Sequence, residues 1–199
     1  MNVELDNEVL QTIKRRRATR AYSTQPVEKE KLQAIIEAGL YAPNAGSRQS
    51  PIIVACLDKT INEKLEDLNL QIVANQNRPA GHAVQVTKSE SKPTEQKPKI
   101  FYDAPVLITI FAPKDWYNFT LDCAVAAENM LLAATSLGLG SNIIARAKET
   151  FETEYGRELQ SQWGISEEYE AKLHVILGYA LNKPENAHPR KADRVIIID

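Results

Sequence analysis

Four arginines fall within six positions near the N-terminus of this 199-residue chain, at Arg15, Arg16, Arg17 and Arg20. A guanidinium group keeps its charge at any working pH, and its planar fork matches the oxygens of a phosphate group. A run of like charges at the end of a helix is, however, more commonly a solvated surface patch. The cluster alone leaves two interpretations open, a solvated patch or a cradle for a flat, anionic ligand.

A second polar stretch, residues 42–51 (APNAGSRQSP), lies directly before an apolar run of strand length. Its two prolines and its glycine prevent the preceding helix from continuing. Such loops usually only connect elements. Here the amide and hydroxyl groups of Asn44, Ser47 and Gln49 are concentrated beside Arg48, which makes the loop a second candidate for ligand binding.

The spacing of apolar residues predicts the elements that must position these two stretches. A first helix is expected to be capped by Asp6 and to end near the arginines, with Leu5 and Leu10 forming a hydrophobic staple. Arg16 and Arg20 are four residues apart, and Arg17 and Arg20 three apart, so at least two of these arginines can face one ligand if the last turn of the helix persists. Further helices are predicted at 32–40, 61–72 and 119–137, with a short one capped by Ser166. Continuous apolar runs predict buried strands at 52–57 (a central one), 106–111 and 173–177, and a short strand or loop is expected at 141–146.

The helix predicted at 119–137 is apolar on nearly every face. Asp122 and Glu128 argue against a membrane span, so we expect a buried helix. It is either the middle of the monomer's core or partly covered by a second subunit. The final apolar run, 195–198, has no element after it and must therefore add to a sheet edge, its own or a partner's.

The composition, 43% apolar and 25% charged residues, is that of an ordinary globular domain. A net charge of −2 gives no general attraction to nucleic acid or to an anionic membrane, so any basic function must be local. Cys56 and Cys123 have no partner at metal-ligand spacing and predict buried thiols in a reducing cytosol. No secretion signal is recognised, so a cytoplasmic protein is expected. His174 is predicted to be a packed residue, and no metal site is predicted.

Together the two polar stretches resemble motifs of the nitroreductase-like family of FMN-dependent NAD(P)H oxidoreductases. In that family an early helix ends in an Arg-Arg-Ser-x-Arg type motif that grips the FMN phosphate and ribityl chain. The matching residues here are Arg16, Arg17, Ala18 and Arg20, with Ala18 in place of the serine. The family's second motif, Ala-Pro-Ser-x-x-Asn-x-Gln-Pro, resembles residues 42–50, and the flavin contacts it implies are Pro43, Asn44, Ser47 and Gln49.

Two later stretches extend the resemblance in the family's order. The sequence LGLGSNII resembles the end of the family's alanine-rich helix, which implies that the backbone of Ile143, Ile144 and Ala145 lies against the flavin. The sequence HPRKADR resembles the family's C-terminal basic pair, which implies phosphate-side roles for Arg190 and Lys191. Four ordered matches are far more specific than any one of them.

The resemblance implies an α+β fold, with a mostly antiparallel sheet flanked by helices, in an intertwined homodimer with C-terminal strand exchange. The chain length predicts a single domain over 1–199. The polar composition of residues 76–99 predicts a variable excursion or lid within 58–99, and the polar stretch before the final apolar run predicts a C-terminal arm at 182–199. The implied reaction transfers hydride from NAD(P)H through N5 of FMN to a small organic acceptor, such as a nitroaromatic or a quinone, in a two-step ping-pong cycle. The flavin carries that chemistry, so no catalytic side chain is expected.

Three alternatives remain, one a different reaction on the same fold and two from other functional classes. A flavin-fragmenting or dehalogenating relative would keep the fold and change the reaction. A flavin-binding module without turnover would fail to oxidise NAD(P)H under air. An RNA-binding domain would use the arginine cluster, but the chain lacks the interleaved aromatic residues and the overall basic charge that this function requires.

Overall fold

The computed structural model describes residues 6–75, 99–115, 117–182 and 186–198. The helices are α1 (Glu8–Arg15), α2 (Lys29–Leu40), α3 (Lys59–Asn75), α4 (Asn118–Ser136), α5 (Ala147–Phe151) and α6 (Glu154–Gln162). The strands are β1 (Ile52–Cys56), β2 (Val106–Pro113), β3 (Gly140–Ile144) and β4 (Tyr169–Gly178), and a short 3-10 turn covers Ala45–Ser47. The predicted helices at 32–40, 61–72 and 119–137 and the predicted strands at 52–57, 106–111 and 173–177 are therefore present, with ends shifted by a few residues. The predicted strand or loop at 141–146 is a strand, whereas the terminal run 195–198 joins no strand in the described part of its own chain.

The four strands form one sheet in the order β1-β2-β4-β3, and all neighbouring strands are antiparallel. This confirms the predicted α+β fold with a mostly antiparallel sheet. The prediction of a central strand at 52–57 is wrong, because β1 lies at an edge and, within the described ranges, pairs with β2 alone. A continuous apolar run indicates that both faces of a strand are covered, and it does not specify the strand's place in the sheet.

Two hydrophobic clusters cover the two faces of the sheet. Ile108 and Ile110 of β2 point into the cluster that contains α2 and α4, whereas Leu107 and Phe111 point into the cluster that contains α3, α5 and α6. Strand side chains alternate between faces, so one apolar run supplies both clusters. Each fully buried side chain of this size contributes about 1.5–3 kcal/mol before the entropy of ordering is subtracted.

Helix α4 packs closely on α2, the helix that leads into the polar loop. A Cβ atom added at Gly39 would lie 2.4 Å from Cε of Met130, so the two helices approach with no room for a side chain. Asn129 Nδ2 donates a hydrogen bond to the carbonyl oxygen of Ala38 at 3.0 Å. The opposite face of α4 leaves Leu121 and Val125 exposed, so a single chain does not cover the helix on all sides.

Two predicted helix caps differ in the structure. Asn7 caps α1, because its Oδ1 accepts from the backbone N–H of Leu10 at 3.0 Å, whereas Asp6 accepts from Gln11. The predicted staple partner Leu5 lies outside the described residues. Ser166 forms a turn and caps no helix, because the chain enters β4 at Tyr169 and remains paired with β2 from there.

The stretch predicted to be a variable excursion or lid, 58–99, divides into two parts. Residues 59–75 form α3, which packs on the core through the fully buried Leu65. Residues 76–98 lie outside the described part of the chain. The helix predicted at 61–72 is therefore part of the folded core.

The buried titratable groups have packing roles. His174 is fully buried between the rings of Phe101 and Phe151, and its Nδ1 lies 2.9 Å from Oγ1 of Thr109. Burial lowers its pKa to about 3, which confirms a packed, neutral histidine. Cys123 is a buried free thiol, as predicted, and burial raises its pKa to about 12. The prediction of a buried thiol is wrong for Cys56, which is free but only half-buried, because it ends the edge strand β1.

Within the described ranges no helix combines the length and apolar character needed to cross a lipid bilayer. The same residues contain no group of histidine, cysteine, aspartate and glutamate side chains arranged to hold a metal ion.

Candidate functional site

The arginine segment, residues 16–20, is extended and follows α1 without continuing it. The helix ends at Arg15, and Arg16 has φ −53° and ψ 131°, so Arg16 and Arg20 do not share a helical face. Ala18 instead forms a parallel bridge with Ser141, and the N–H of Thr19 donates to the carbonyl oxygen of Ser141 at 2.9 Å. The segment therefore lies along the outer edge of β3.

The four arginines have different surroundings. Arg15 pairs with Glu8 of its own helix at 2.9 Å, on the surface. The Nη1 atom of Arg17 donates to the carbonyl oxygens of Lys14 and Arg16 at 2.7 and 2.6 Å, which caps the C-terminus of α1. The Nε atom of Arg16 lies 3.8 Å from Oε1 of Glu128 on α4. The arginine segment is thus placed between β3 and α4.

Arg20 lies against Tyr102, a residue that no motif in the sequence singles out. Burial raises the pKa of the Tyr102 phenol, and the charge and hydrogen bond of the Arg20 guanidinium lower it. Tyr102 and Asp103 both adopt left-handed backbone conformations, with φ of 55° and 62°. Such conformations cost about 1–2 kcal/mol each for residues other than glycine.

Glu66 of α3 holds the chain that leads into this turn. Its Oε1 accepts from the N–H groups of Ile100 and Phe101, at 2.6 and 2.5 Å. Burial raises the pKa of the Glu66 carboxyl group, and these two hydrogen bonds oppose that increase. These hydrogen bonds from the packed helix α3 therefore hold in place the turn that positions Tyr102 beside Arg20.

The polar loop, residues 43–50, is held by its own hydrogen bonds. Asn44 Oδ1 accepts from the N–H of Gln49 at 2.8 Å, and the Asn44 carbonyl oxygen accepts from the N–H of Ser47 at 3.3 Å. Gly46, Ser47 and Gln49 have φ of 63°, 52° and 50°. Pro43, Ser47 and Gln49 are exposed, so a ligand can approach both the backbone and the side chains of this loop.

Helix α4 connects the polar loop to the arginine segment. Asp122 Oδ1 accepts from the N–H of Ala45 in the loop at 3.1 Å, and Glu128 lies beside Arg16. Six residues separate the two contacts, a rise of about 9 Å along a helix. In the sequence, Asp122 served only as an argument against a membrane span. A charged residue in an otherwise apolar helix also indicates a specific polar contact, and that signal could have pointed to this residue.

The end of β3 lies on the same side as the arginine segment. The bridge between Ala18 and Ser141 is parallel, so the chain toward Arg20 runs in the same direction as the chain toward Ile143. Ile143 and Ile144 are half-buried, and Ala145 is exposed beyond the end of the strand. The structure therefore brings the arginine segment and the residues 143–145 together along one edge.

The remaining two predicted site residues lie elsewhere. Arg190 and Lys191 are exposed, and they line a cleft that the arm itself forms with Asp193, Arg194 and Val195. The structure of the single chain does not bring them to the arginine segment. Their expected role beside the arginine segment therefore rests on the family resemblance alone.

The protein thus has an α+β fold in which an extended basic segment lies on the edge of an antiparallel sheet. The polar loop and Arg16 both lie beside the same helix, α4. The sequence model of the nitroreductase family matches residues 13–179, and the chain belongs to this family.

Relatives with names and structures agree with this membership. The crystal structure of a nitroreductase with bound FMN from Bacteroides fragilis is 31% identical with a TM-score of 0.78, and the match covers 98% of this chain and 100% of that one. An Archaeoglobus fulgidus protein, provisionally named an NADH dehydrogenase/NAD(P)H nitroreductase, is 31% identical over 67% of this chain and 65% of its own length. The chain thus spans slightly less than two thirds of that relative. An NADPH-flavin oxidoreductase of Vibrio harveyi is 27% identical over 96% of this chain and 73% of its own length.

Proposed function

We propose that this chain binds FMN and transfers hydride from NAD(P)H to a small organic acceptor, such as a nitroaromatic or a quinone, in a two-step ping-pong cycle. The observation that carries the proposal is the arginine segment on the edge of β3, which runs parallel to the chain toward residues 143–145. It also lies beside α4, the helix that accepts a hydrogen bond from the polar loop. The FMN bound to the Bacteroides fragilis nitroreductase and the name of the Vibrio harveyi oxidoreductase support it.

The residues present fit such a cofactor in their chemistry. Arg16 and Arg20 supply guanidinium groups for a phosphate, with Arg17 and the backbone of Ala18 between them. The polar loop supplies the exposed Ser47 and Gln49 beside Asn44, which suits the polar edge of the isoalloxazine ring. When bound, the flavin supplies the hydride chemistry at N5.

The chain's own residues have binding, orienting and electrostatic roles in this proposal. Hydrogen-bond donors near the pyrimidine edge stabilise the negative charge that develops there on reduction, and so raise the reduction potential. The exposed loop donors and Arg20 are the candidates for this role. The reaction requires no acid–base side chain, so we assign no catalytic side chain in this protein.

We also infer that two copies of this single domain, residues 1–199, form an intertwined homodimer that completes the site. Val9 and Ile13 on α1 and Leu121 and Val125 on α4 are exposed apolar side chains, and Val195–Ile198 of the arm are 79–91% exposed. Exposed apolar surface of this extent is typical of an interface. In such a dimer Arg190 and Lys191 would reach the phosphate side of the partner's flavin. A cytoplasmic location remains a prediction.

The visible spectrum of the purified protein tests the proposed function. We expect a yellow protein that releases FMN and not FAD on denaturation, is bleached by NADH or NADPH under nitrogen, and regains its colour with a nitroaromatic or a quinone. A colourless protein that takes up no added FMN would contradict the proposal. A yellow protein that neither nicotinamide bleaches would be a flavin-binding module without this turnover.

A further inference from the structure

Asp122, in the first half of α4, is 6% exposed, and its two carboxylate oxygens have different surroundings. Oδ1 accepts the hydrogen bond from the N–H of Ala45, whereas Oδ2 is buried and has no partner in the part of the chain that the structure describes. A buried carboxylate with one hydrogen bond destabilises a fold, because its desolvation is only partly compensated. The stability of the core therefore does not explain an aspartate at this position.

The hydrogen bond from Asp122 reaches the polar loop where its backbone is strained. Ala45 directly precedes Gly46 and Ser47, which are left-handed, and Gln49 is left-handed two residues later. Residues other than glycine remain in that conformation when their surroundings hold them there. Asn44 holds the loop from within, and Asp122 holds it from α4, which is itself packed on the sheet.

We propose that Asp122 is a positioning residue, which fixes the polar loop in the conformation that presents Ser47 and Gln49 to the flavin. The proposal rests on the proposed function above. Asp122 acts through the Ala45 backbone and does not itself contact the flavin. Two properties of the bound cofactor depend on the loop in this way, its affinity and its reduction potential, because both require donors that are already oriented.

Two substitutions of Asp122 separate the hydrogen bond from the charge. Asp122→Ala removes the acceptor, and we expect the Kd for FMN to rise about tenfold or more, the effect of losing one charge-assisted hydrogen bond. The potential of the bound flavin should become more negative. Asp122→Asn keeps an oxygen that can accept from Ala45, so its Kd should stay within about threefold of the original. The Tm of the Asp122→Ala apoprotein should be equal or higher, because a partly satisfied buried carboxylate is gone.

Asn129→Ala is the matched control, since Asn129 is on the same helix and donates to α2 at Ala38 instead of to the loop. We expect it to lower the Tm of the apoprotein and to leave the FMN affinity and potential unchanged. The proposal is overturned if Asp122→Ala gives this same pattern, or if its FMN affinity and potential match those of the original protein.

Hydrogen exchange in the apoprotein tests the loop without the cofactor. Amides of residues 44–49 should exchange faster in Asp122→Ala than in the original protein, and Asn129→Ala should leave their exchange unaltered. Unchanged exchange in Asp122→Ala overturns the positioning role even if FMN binds. If the original protein takes up no flavin, the proposed function fails and so does a flavin-positioning role, while the exchange rates still report whether Asp122 holds the loop.

Discussion

Arg15 and Arg16 are neighbours in the chain, but only one of them is directed toward the candidate site. Arg15 is on α1 and pairs with Glu8, whereas Arg16 begins the extended segment beside β3 and α4. The helix ends between them, and that end separates the guanidinium group on α1 from those of the extended segment.

The first prediction compares these arginines within one cluster. Arg16→Ala or Arg20→Ala should weaken FMN binding by about 1.5–3 kcal/mol, the scale of a charge-assisted hydrogen bond. Arg15→Ala removes a charge from the same stretch and should leave the affinity unchanged. Titration of the apoprotein with FMN, followed by flavin fluorescence, gives the three dissociation constants. Equal losses in all three variants would mean a general electrostatic effect, and no loss in any of them would mean a solvated patch.

His174 gives a second prediction, on the pH dependence of stability. The folded protein keeps this imidazole neutral down to a pKa of about 3, whereas an unfolded chain protonates it near pH 6.5. Between these values the unfolded state binds one more proton, so the free energy of unfolding falls as the pH falls. Between pH 7.5 and pH 5.0, the protonation of His174 in the unfolded chain lowers the free energy of unfolding by about 2 kcal/mol.

Urea unfolding at the two pH values, for the original protein and for His174→Gln, measures that contribution. The decrease in the free energy of unfolding from pH 7.5 to pH 5.0 should be smaller in the variant by about 2 kcal/mol, because the two proteins share all their other titrating groups. The same pH dependence in both proteins would show that His174 is not the group responsible.

At the scale of single residues, the sequence predicts what a side chain can do better than what it contacts. The chemical types of Arg16, Arg20 and Asn44 made them candidates. The structure places Arg16 beside α4, Arg20 at Tyr102 and Asn44 in the loop that is bonded to α4. Tyr102 and Asp122 were not candidates, because their roles depend on partners distant in the chain. Their contacts with Arg20 and Ala45 become visible only after folding.

At the scale of elements, two helices pack closely on a neighbour at a glycine, one against a flexible side chain and the other against rigid backbone. A Cβ at Gly39 of α2 would meet the end of the flexible Met130 side chain, at 2.4 Å from Cε. A Cβ at Gly156 of α6 would meet backbone atoms of α5, at 2.4 Å from the carbonyl oxygen of Thr150 and 2.5 Å from Cα of Phe151. A side chain can change its rotamer, whereas the backbone of a packed helix cannot shift without moving the helix.

The third prediction is that Gly156→Ala destabilises the protein more than Gly39→Ala does. Each substitution of glycine by alanine in a helix gains about 1 kcal/mol of helix propensity. The difference between their effects on the free energy of unfolding therefore reports the steric cost alone. Overpacking in a core typically costs about 1–3 kcal/mol, and we expect Gly156→Ala to show most of that cost. Unfolding free energies from urea titrations give the comparison. Equal destabilisation would mean that Met130 is as immobile as the backbone of α5.

The elements themselves were largely predictable, and their arrangement was less so. Apolar periodicity found α2, α3 and α4 and the strands β2 and β4, because burial imposes that periodicity directly. It misplaced β1 in the centre of the sheet, since both faces of this edge strand are covered. It also allowed the first helix to continue through Arg16, where the chain instead turns to pair with β3.

At the scale of the whole molecule, apolar surface remains that one chain does not cover. The arm residues Val195–Ile198 are almost fully exposed, and apolar side chains of α1 and α4 are partly exposed. The linker from 182 to 194 has 13 residues, and at about 3.3 Å per extended residue it can span about 40 Å. That reach is sufficient for the arm to lie on a second subunit.

The last prediction is that the arm holds an obligate dimer and its cofactor together. Burial of the four terminal apolar side chains contributes about 1.5–3 kcal/mol each at most, reduced by the entropy of ordering the linker. Deleting residues 195–199 should therefore lower the Tm, loosen the dimer and lower the flavin occupancy, because Arg190 and Lys191 lose their anchorage. Removing residue 199 alone is the control, since it shortens the chain and keeps the apolar run. Light scattering should give about 45 kDa for the intact protein, twice the 22.3 kDa of one chain. An intact protein that is a monomer and still binds FMN tightly would contradict the dimer and leave the oxidoreductase proposal standing.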